Sequence, residues 1–575
     1  MIDHKFYVKS NESGTLRQLL LLALLFSIPF FIYLGQLPLM DPDEGRYAEI
    51  PREMLERGDL ITPTLNYVHY FEKPPLLYWV NAVSLKLFGF NEFAARLPSA
   101  LCGLQTILVT YAVARRLYGK QTALIAAVIL GTSAGFVIQS RIILTDMLLT
   151  FCLTASLGSF IIAAENDKAD CSIFPWYFFY FFSALAVMTK GLIGLVFPAG
   201  IILLYLLHTR EWVVLREMRL PSGLLLFAIT AVPWFVAVSL KNPEFARFFF
   251  IHEHFERFTT TVHGRHQPFW FFIPVLAATM LPWSFFIPGA IQRAWQERRS
   301  IDGRVGIFLL IWAGLIFLFF SKSNSKLIPY ILPIFPPLAI LVALRIQELF
   351  ESRDNKTKLT TILLGATFII LGIAGLGYHR TAALVPFLSD AIPQLANPLR
   401  QFLANAPPIS FAAGIIIGAL FLVQGTACLV MAGRKPLPLL VILGCCSFML
   451  EILVPGMIMK PIAQIESPRE LALKAASFAR DDTRIVTSGP MQGVSWYTGR
   501  RVLVTGKLDE LEFGSKQGDQ SAWFPDQPAF LNLWNSSDHV LMILRKSELE
   551  NLLPLLPPLQ GILGKSGRLV LIGNQ

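Results

Sequence analysis

Thirteen stretches of mostly apolar residues, each near the length a helix needs to cross a bilayer, run through this chain of 575 residues. They lie near 16–38, 96–117, 120–138, 142–164, 175–190, 191–208, 221–240, 269–289, 305–320, 327–346, 359–378, 409–432 and 436–456. Only 15% of the residues are charged, against about a quarter in soluble domains, so the bilayer is the expected solvent. The first run follows a weakly basic lead (Lys5, Lys9, Arg17) and ends in Leu-Pro-Leu without a small-x-small site. It therefore reads as a membrane span rather than a cleaved signal peptide.

Lysine and arginine in the short connections set the orientation. Arg115, Arg116 and Lys120; Arg210, Arg216 and Arg219; Arg293, Arg298, Arg299 and Arg304; Arg353, Lys356 and Lys358; and Arg434 and Lys435 all fall on the side of the N-terminus. That side is predicted to be cytoplasmic. The other side receives 39–95, the turn at Arg141, Lys190, 241–268, 321–326, 379–408 and everything after 457. The net charge of +10 is thus spread over loops, which argues against a nucleic-acid partner. Six cysteines form no C-x-x-C pair, and most sit in apolar runs as small core residues.

After about 458 the pattern changes. SPRELALKAASFAR and KSELENLLPLL read as helices, and TRIVTSG, RRVLVTG, HVLMIL and GRLVLIG as strands, predicting a small α/β domain over 458–575. No Gly-rich phosphate fingerprint precedes a helix there, so no nucleotide is expected.

The costly polar residues gather on the outer side. MDPDEGRYAE leaves the first span with Asp43, Glu44 and Arg46; Tyr47, Ile50, Met54 and Leu55 then form an apolar stripe at helical intervals. A helix lying on the membrane surface, interrupted or restarted at Pro51, fits that stripe. A solvated turn is the plainer reading. YFEKPPLLYW brings Tyr70, Glu72 and Lys73 to a rigid Pro-Pro corner, which a surface ion pair also explains. RIILTDML buries Asp146 in an apolar helix, where an acid needs a partner. His252 and His254, with Glu72, have the chemistry to ligate Zn²⁺. SKSNSKLIPYILP sets Lys322 and Lys326 at a helix mouth with Tyr330 one turn inward. Acids beside Arg46, Lys73, Lys190, Arg257 and Lys326, above a large apolar body, suit a phosphate head on a long lipid tail.

DPDEGRYAE, FEKPPLLYW about thirty residues later, the acid at the outer end of a helix, and S-K-x-N-x-K-L-x-x-Y-x-L-P together resemble polytopic GT-C glycosyltransferases. The chain is most similar to bacterial 4-amino-4-deoxy-L-arabinose transferases acting on lipid A, relatives of protein O-mannosyltransferases. The resemblance runs from about 16 to 457. It implies a GT-C membrane domain over 1–457, with interfacial helices in a first periplasmic loop (39–95), and a periplasmic domain over 458–575. It implies Asp43 and Asp146 as catalytic acids, and Arg46 and Lys73 on the donor phosphate, helped by Tyr70, Arg257 and Tyr330. It also implies Zn²⁺ on Glu72 and His252 or His254. The expected partners are an undecaprenyl-phosphate-linked sugar, lipid A or a related acceptor, and membrane lipids. The expected setting is a monomer in the bacterial inner membrane. A flippase or transporter would carry mid-span charges and internal repeats, which this sequence lacks.

Overall fold

The computed structural model describes residues 12–165, 172–251, 267–300, 303–351, 355–377, 410–433, 436–556 and 561–574. Arg257, His252 and His254 lie outside these residues.

Among the described residues, nine single helices are long and apolar enough to cross a membrane. They include α1 (Glu12–Phe31), α4 (Glu92–Tyr118) and α7 (Thr145–Ala164). Two more of the expected spans are bent pairs. Residues 120–138 form α5 (Lys120–Gly131) and α6 (Ala134–Ser140), angled at 65°. Residues 269–289 do not form one straight span: Phe272–Thr279 and Trp283–Glu297 meet at 116°. Pro282, with no N–H to continue the ladder, stands at that break. The remaining two are α8 (Phe174–Lys190) and α9 (Ile193–Thr209), of 17 residues each.

Burial sorts these helices. α7 is largely enclosed, whereas Leu220–Lys241 exposes Leu224, Leu225, Ile229, Val232, Val236 and Leu240. Apolar side chains facing outward along a whole helix are unfavourable in water and ordinary in lipid. The protein is a multi-pass membrane protein.

Between α1 and α4 the chain builds a small assembly outside the spans: α2 (Asp43–Arg57), the antiparallel hairpin β1 (Thr64–Leu65) and β2 (Val68–His69), and α3 (Leu76–Phe88). Here the expectation of a surface-lying α2 fails. α2 is continuous through Pro51, and Glu44 to Pro51, Glu53 and Met54 are all buried. The stripe of Tyr47, Ile50 and Met54 packs into the protein core rather than onto lipid.

The C-terminal domain is a five-stranded sheet in the order β4-β3-β5-β7-β6. β3 (Arg484–Ser488) lies parallel to β4 (Leu503–Thr505) and β5 (Val540–Arg545). β6 (Ile562–Ser566) and β7 (Leu569–Gly573) close the far edge as an antiparallel pair. Along β5, Val540, Met542 and Leu544 face a core containing Phe530 and Trp534. Leu541 and Ile543 face the opposite way, into the core continuous with the membrane helices. A sheet covered on both faces needs no polar alternation, which is why HVLMIL is apolar throughout.

Candidate active site

Three of the acids on α2 are committed to structure. Glu44 forms an ion pair with Arg96 of α4 at 2.6 and 2.7 Å, and Arg96 also donates to the carbonyls of Leu34, Leu37 and Pro38. One guanidinium thus ties the chain leaving α1 to the start of α2. Glu49 receives Arg52 at 2.7 and 2.8 Å. Glu53 accepts from the Thr64 hydroxyl at 2.6 Å and the Tyr67 N–H at 3.0 Å. Burial, then the neighbouring Glu49, pushes the Glu53 carboxyl up to about 8.

Asp43 is different. Its side chain is 44% exposed, and it accepts from Arg46, whose side chain is 5% exposed. Arg46 donates its other nitrogen to Glu510 of the C-terminal domain at 2.5 Å, and its buried Nε has no hydrogen-bond partner. The guanidinium lies 5.1 Å from the Tyr47 ring. Tyr70 is fully buried with an unpartnered hydroxyl, and Glu72 is buried beside it in sequence. Burial raises the Tyr47 phenol; Arg46 opposes, while Asp43, Glu72 and Asp146 add to the rise. That phenol therefore feels four of the expected site residues at once. Lys73, half-buried, donates to the Glu72 carbonyl at 2.8 Å.

Asp146 has the partner its position demanded. It stands in the first turn of α7 and Lys190 ends α8, so each charge suits its helix terminus. They meet at 2.5 Å, both nearly buried, and the Lys190 ammonium lies 4.6 Å from the Tyr330 ring centre. Lys190 is thus neutralised within the protein. Lys326, also buried, donates to the carbonyls of Gln267 (2.9 Å) and Ser323. Among the described residues no three His, Cys, Asp or Glu side chains gather as a metal site.

The C-terminal domain docks against this assembly through polar contacts. The Leu39 N–H donates to the Tyr497 hydroxyl at 2.7 Å, and Asn66 exchanges two hydrogen bonds with the backbone of Val502. The Gly493 N–H donates to Asp41 at 2.9 Å. Glycine is required at 45 and 493, because a Cβ at either would press on the Asp41 carboxylate. Glu510, Asp41 and Arg96 escaped the sequence reading. Arg96 alone left a signal, a single arginine inside an apolar helix.

An arabinosyl transferase of Erwinia tasmaniensis, named for undecaprenyl phosphate-alpha-4-amino-4-deoxy-L-arabinose, is 30% identical over 523 residues, covering 88% of this chain and 89% of that protein. The chain belongs to this transferase family. The namesake from Pectobacterium carotovorum is likewise 30% identical, over 91% and 92% of the two chains. Residues 72–236 match the family described as dolichyl-phosphate-mannose-protein mannosyltransferase, and 472–573 the aminoarabinose transferase C-terminal domain. The crystal structure of ArnT from Cupriavidus metallidurans bound to undecaprenyl phosphate is similar with a TM-score of 0.80, at 27% identity, over 98% of both chains. An archaeal oligosaccharyltransferase from Archaeoglobus fulgidus shares the fold (TM-score 0.51, 14% identity, 94% and 70% covered). As an arabinosyl transferase family member, the chain is a GT-C membrane glycosyltransferase.

Proposed function

We propose that this chain moves 4-amino-4-deoxy-L-arabinose from undecaprenyl phosphate to a phosphate of lipid A, at the periplasmic face of the bacterial inner membrane. The observation that carries the reading is the Asp43–Arg46 pair: a buried arginine beside an open carboxylate, just outside the membrane helices. Arg46 and Lys73 hold the donor phosphate. An oxygen of the acceptor phosphate attacks the anomeric carbon, and the bond to the donor phosphate breaks with its electron pair leaving on undecaprenyl phosphate. Negative charge grows on that leaving group, where fixed cations stabilise the transition state. The acceptor oxygen is already anionic at neutral pH, so no strong base is required, and Asp43 positions the acceptor or the sugar amine. Tyr70, Tyr330, Lys326 and Arg257 support the donor end, and the Asp146–Lys190 pair completes the charge pattern. The enzyme acts as a monomer without a nucleotide.

Zn²⁺ on Glu72 with His252 or His254 belongs to the same proposal. Glu72 is its described member, and no step above is routed through a metal.

Mass spectrometry of lipid A tests the function, in cells that make the aminoarabinose donor but lack their own transferase. The native chain adds aminoarabinose, and an equally expressed Asp43→Ala chain does not. Unmodified lipid A with well-expressed native chain overturns the reading and redirects it to another sugar or acceptor.

A further inference from the structure

The edge of the C-terminal sheet that faces the membrane assembly is an open crevice. β3, β4 and β5 are parallel and end at Ser488, Thr505 and Arg545. β3 lies between the other two, so the connections leave it in opposite directions, and α/β sheets open a ligand crevice at such a switch point, beyond the carboxyl ends of the strands. Gly489 and Gly506 follow β3 and β4 with φ of +84° and +81°, turning the chain aside at that edge. This crevice opens onto Asp41, Pro42 and Glu72, and the two parts enclose a cavity of 2620 Å³. That is well above the roughly 300–1,000 Å³ of a small-molecule pocket.

Its charge is equally specific. Most acids lining the cavity already have partners: Glu510 with Arg46, Glu244 with His69, Glu466 with Arg568, and Glu512 with Lys516. Asp41 and Glu548 accept from Gly493 and Ser488, which leaves Asp509 at the rim as an acid without a cation. Arg247, Lys507 and Arg545 line the same cavity, and among the described residues none of the three forms an ion pair. The uncommitted charge is therefore cationic.

We propose that this crevice seats the phosphorylated sugar head group of the acceptor, with Arg247, Lys507 and Arg545 as its phosphate contacts. The inference rests on the proposed reaction only in taking the acceptor to be a phosphorylated glycolipid. A monosaccharide on one polyprenyl chain needs no space of this size, whereas a multi-sugar head does. The C-terminal domain then holds the acceptor while α2 and the Glu72–Lys73 corner hold the donor.

The test is binding by the full chain in lipid nanodiscs, with lipid A carrying or lacking its phosphates as probe. The native chain binds the phosphorylated form about tenfold or more tighter, the scale of losing charge-assisted contacts. A Lys507→Ala/Arg545→Ala chain loses that preference, Lys507→Arg/Arg545→Lys keeps it, and both bind undecaprenyl phosphate as the native chain does, which also shows that they are folded. Unchanged lipid A binding by the alanine chain overturns the proposal. So does a parallel loss of undecaprenyl phosphate binding, or competition by millimolar inorganic phosphate, which would mark a plain anion site. Lipid A discrimination without aminoarabinose transfer would sink the proposed reaction and leave the crevice standing. Transfer with unaltered lipid A affinity in the alanine chain would do the reverse.

Discussion

Arg46 and Glu510 are 464 positions apart in the chain and meet at 2.5 Å. Through that contact the C-terminal domain reaches the guanidinium that also holds Asp43. The domain is therefore part of the site's electrostatics, and its position is coupled to that of the donor-binding arginine.

Glu510→Gln leaves Arg46 buried with one carboxylate in place of two. The expected cost is about 1–3 kcal/mol, the range for removing one partner of a buried polar pair. It is read as a lower thermal midpoint of the purified chain. Combining Arg46→Glu with Glu510→Arg restores the pair with its charges exchanged, so the midpoint recovers. Transfer to lipid A does not recover, because the donor phosphate has lost its cation. A midpoint unmoved by Glu510→Gln would show that the pair holds nothing.

The two candidate acids separate by burial. Asp43 is exposed enough that Asp43→Asn shifts stability by less than about 0.5–1 kcal/mol, as for a surface pair, while transfer falls about a hundredfold or more. Asp146→Asn leaves the Lys190 ammonium buried and unpaired, at about 3–5 kcal/mol. Replacing both, as Asp146→Leu with Lys190→Met, returns most of that stability. Transfer measured on the folded double variant then isolates the chemistry of Asp146. Full activity there would make the pair purely structural.

The membrane helices were legible because their signal is local: twenty apolar residues announce a span whatever surrounds them. The bend between Thr279 and Trp283 was less so, since apolar composition continues through it. Asp146 announced its need for a partner, and Lys190 could be named as an outer cation. Their pairing could not, because it joins the ends of two different helices. α2 misled for a similar reason. Its stripe of Tyr47, Ile50 and Met54 looks the same whether lipid or protein covers it, and only the partners of Glu44, Glu49 and Glu53 distinguish the two. Glu510 lay in a stretch with no motif and was invisible until folding brought it to Arg46.

If Zn²⁺ binds at Glu72 with one histidine, the purified chain carries about one zinc, as a single site requires. Glu72→Gln removes it, and so does alanine at whichever of His252 and His254 is the ligand, leaving the other variant loaded. Elemental analysis of the three variants reads this directly. A metal-free native chain, purified without chelator and dialysed against zinc, would end the proposal.

The last prediction concerns pH and the docking of the C-terminal domain. Burial pushes the Asp41 carboxyl from 3.8 up to about 7, against the lowering effects of the Gly493 N–H and of Arg46. Its Oδ2 is buried without a hydrogen-bond partner, so the ionised form is the costly one. The docked state therefore holds the proton more tightly than the undocked chain. Its contribution to docking is fully present below about 4 and is lost as the pH rises through 7. Asp41→Asn keeps an acceptor for Gly493 and removes the charge. Its gain is absent at pH 4 and grows to at most ~4 kcal/mol at pH 8, at about 1.4 kcal/mol per pH unit. Thermal midpoints of both chains across pH 4–8 check this: the native curve falls towards pH 8 relative to the variant. Parallel curves would mean that the Asp41 carboxyl is solvated and that docking rests on Arg46, Asn66 and Tyr497 alone.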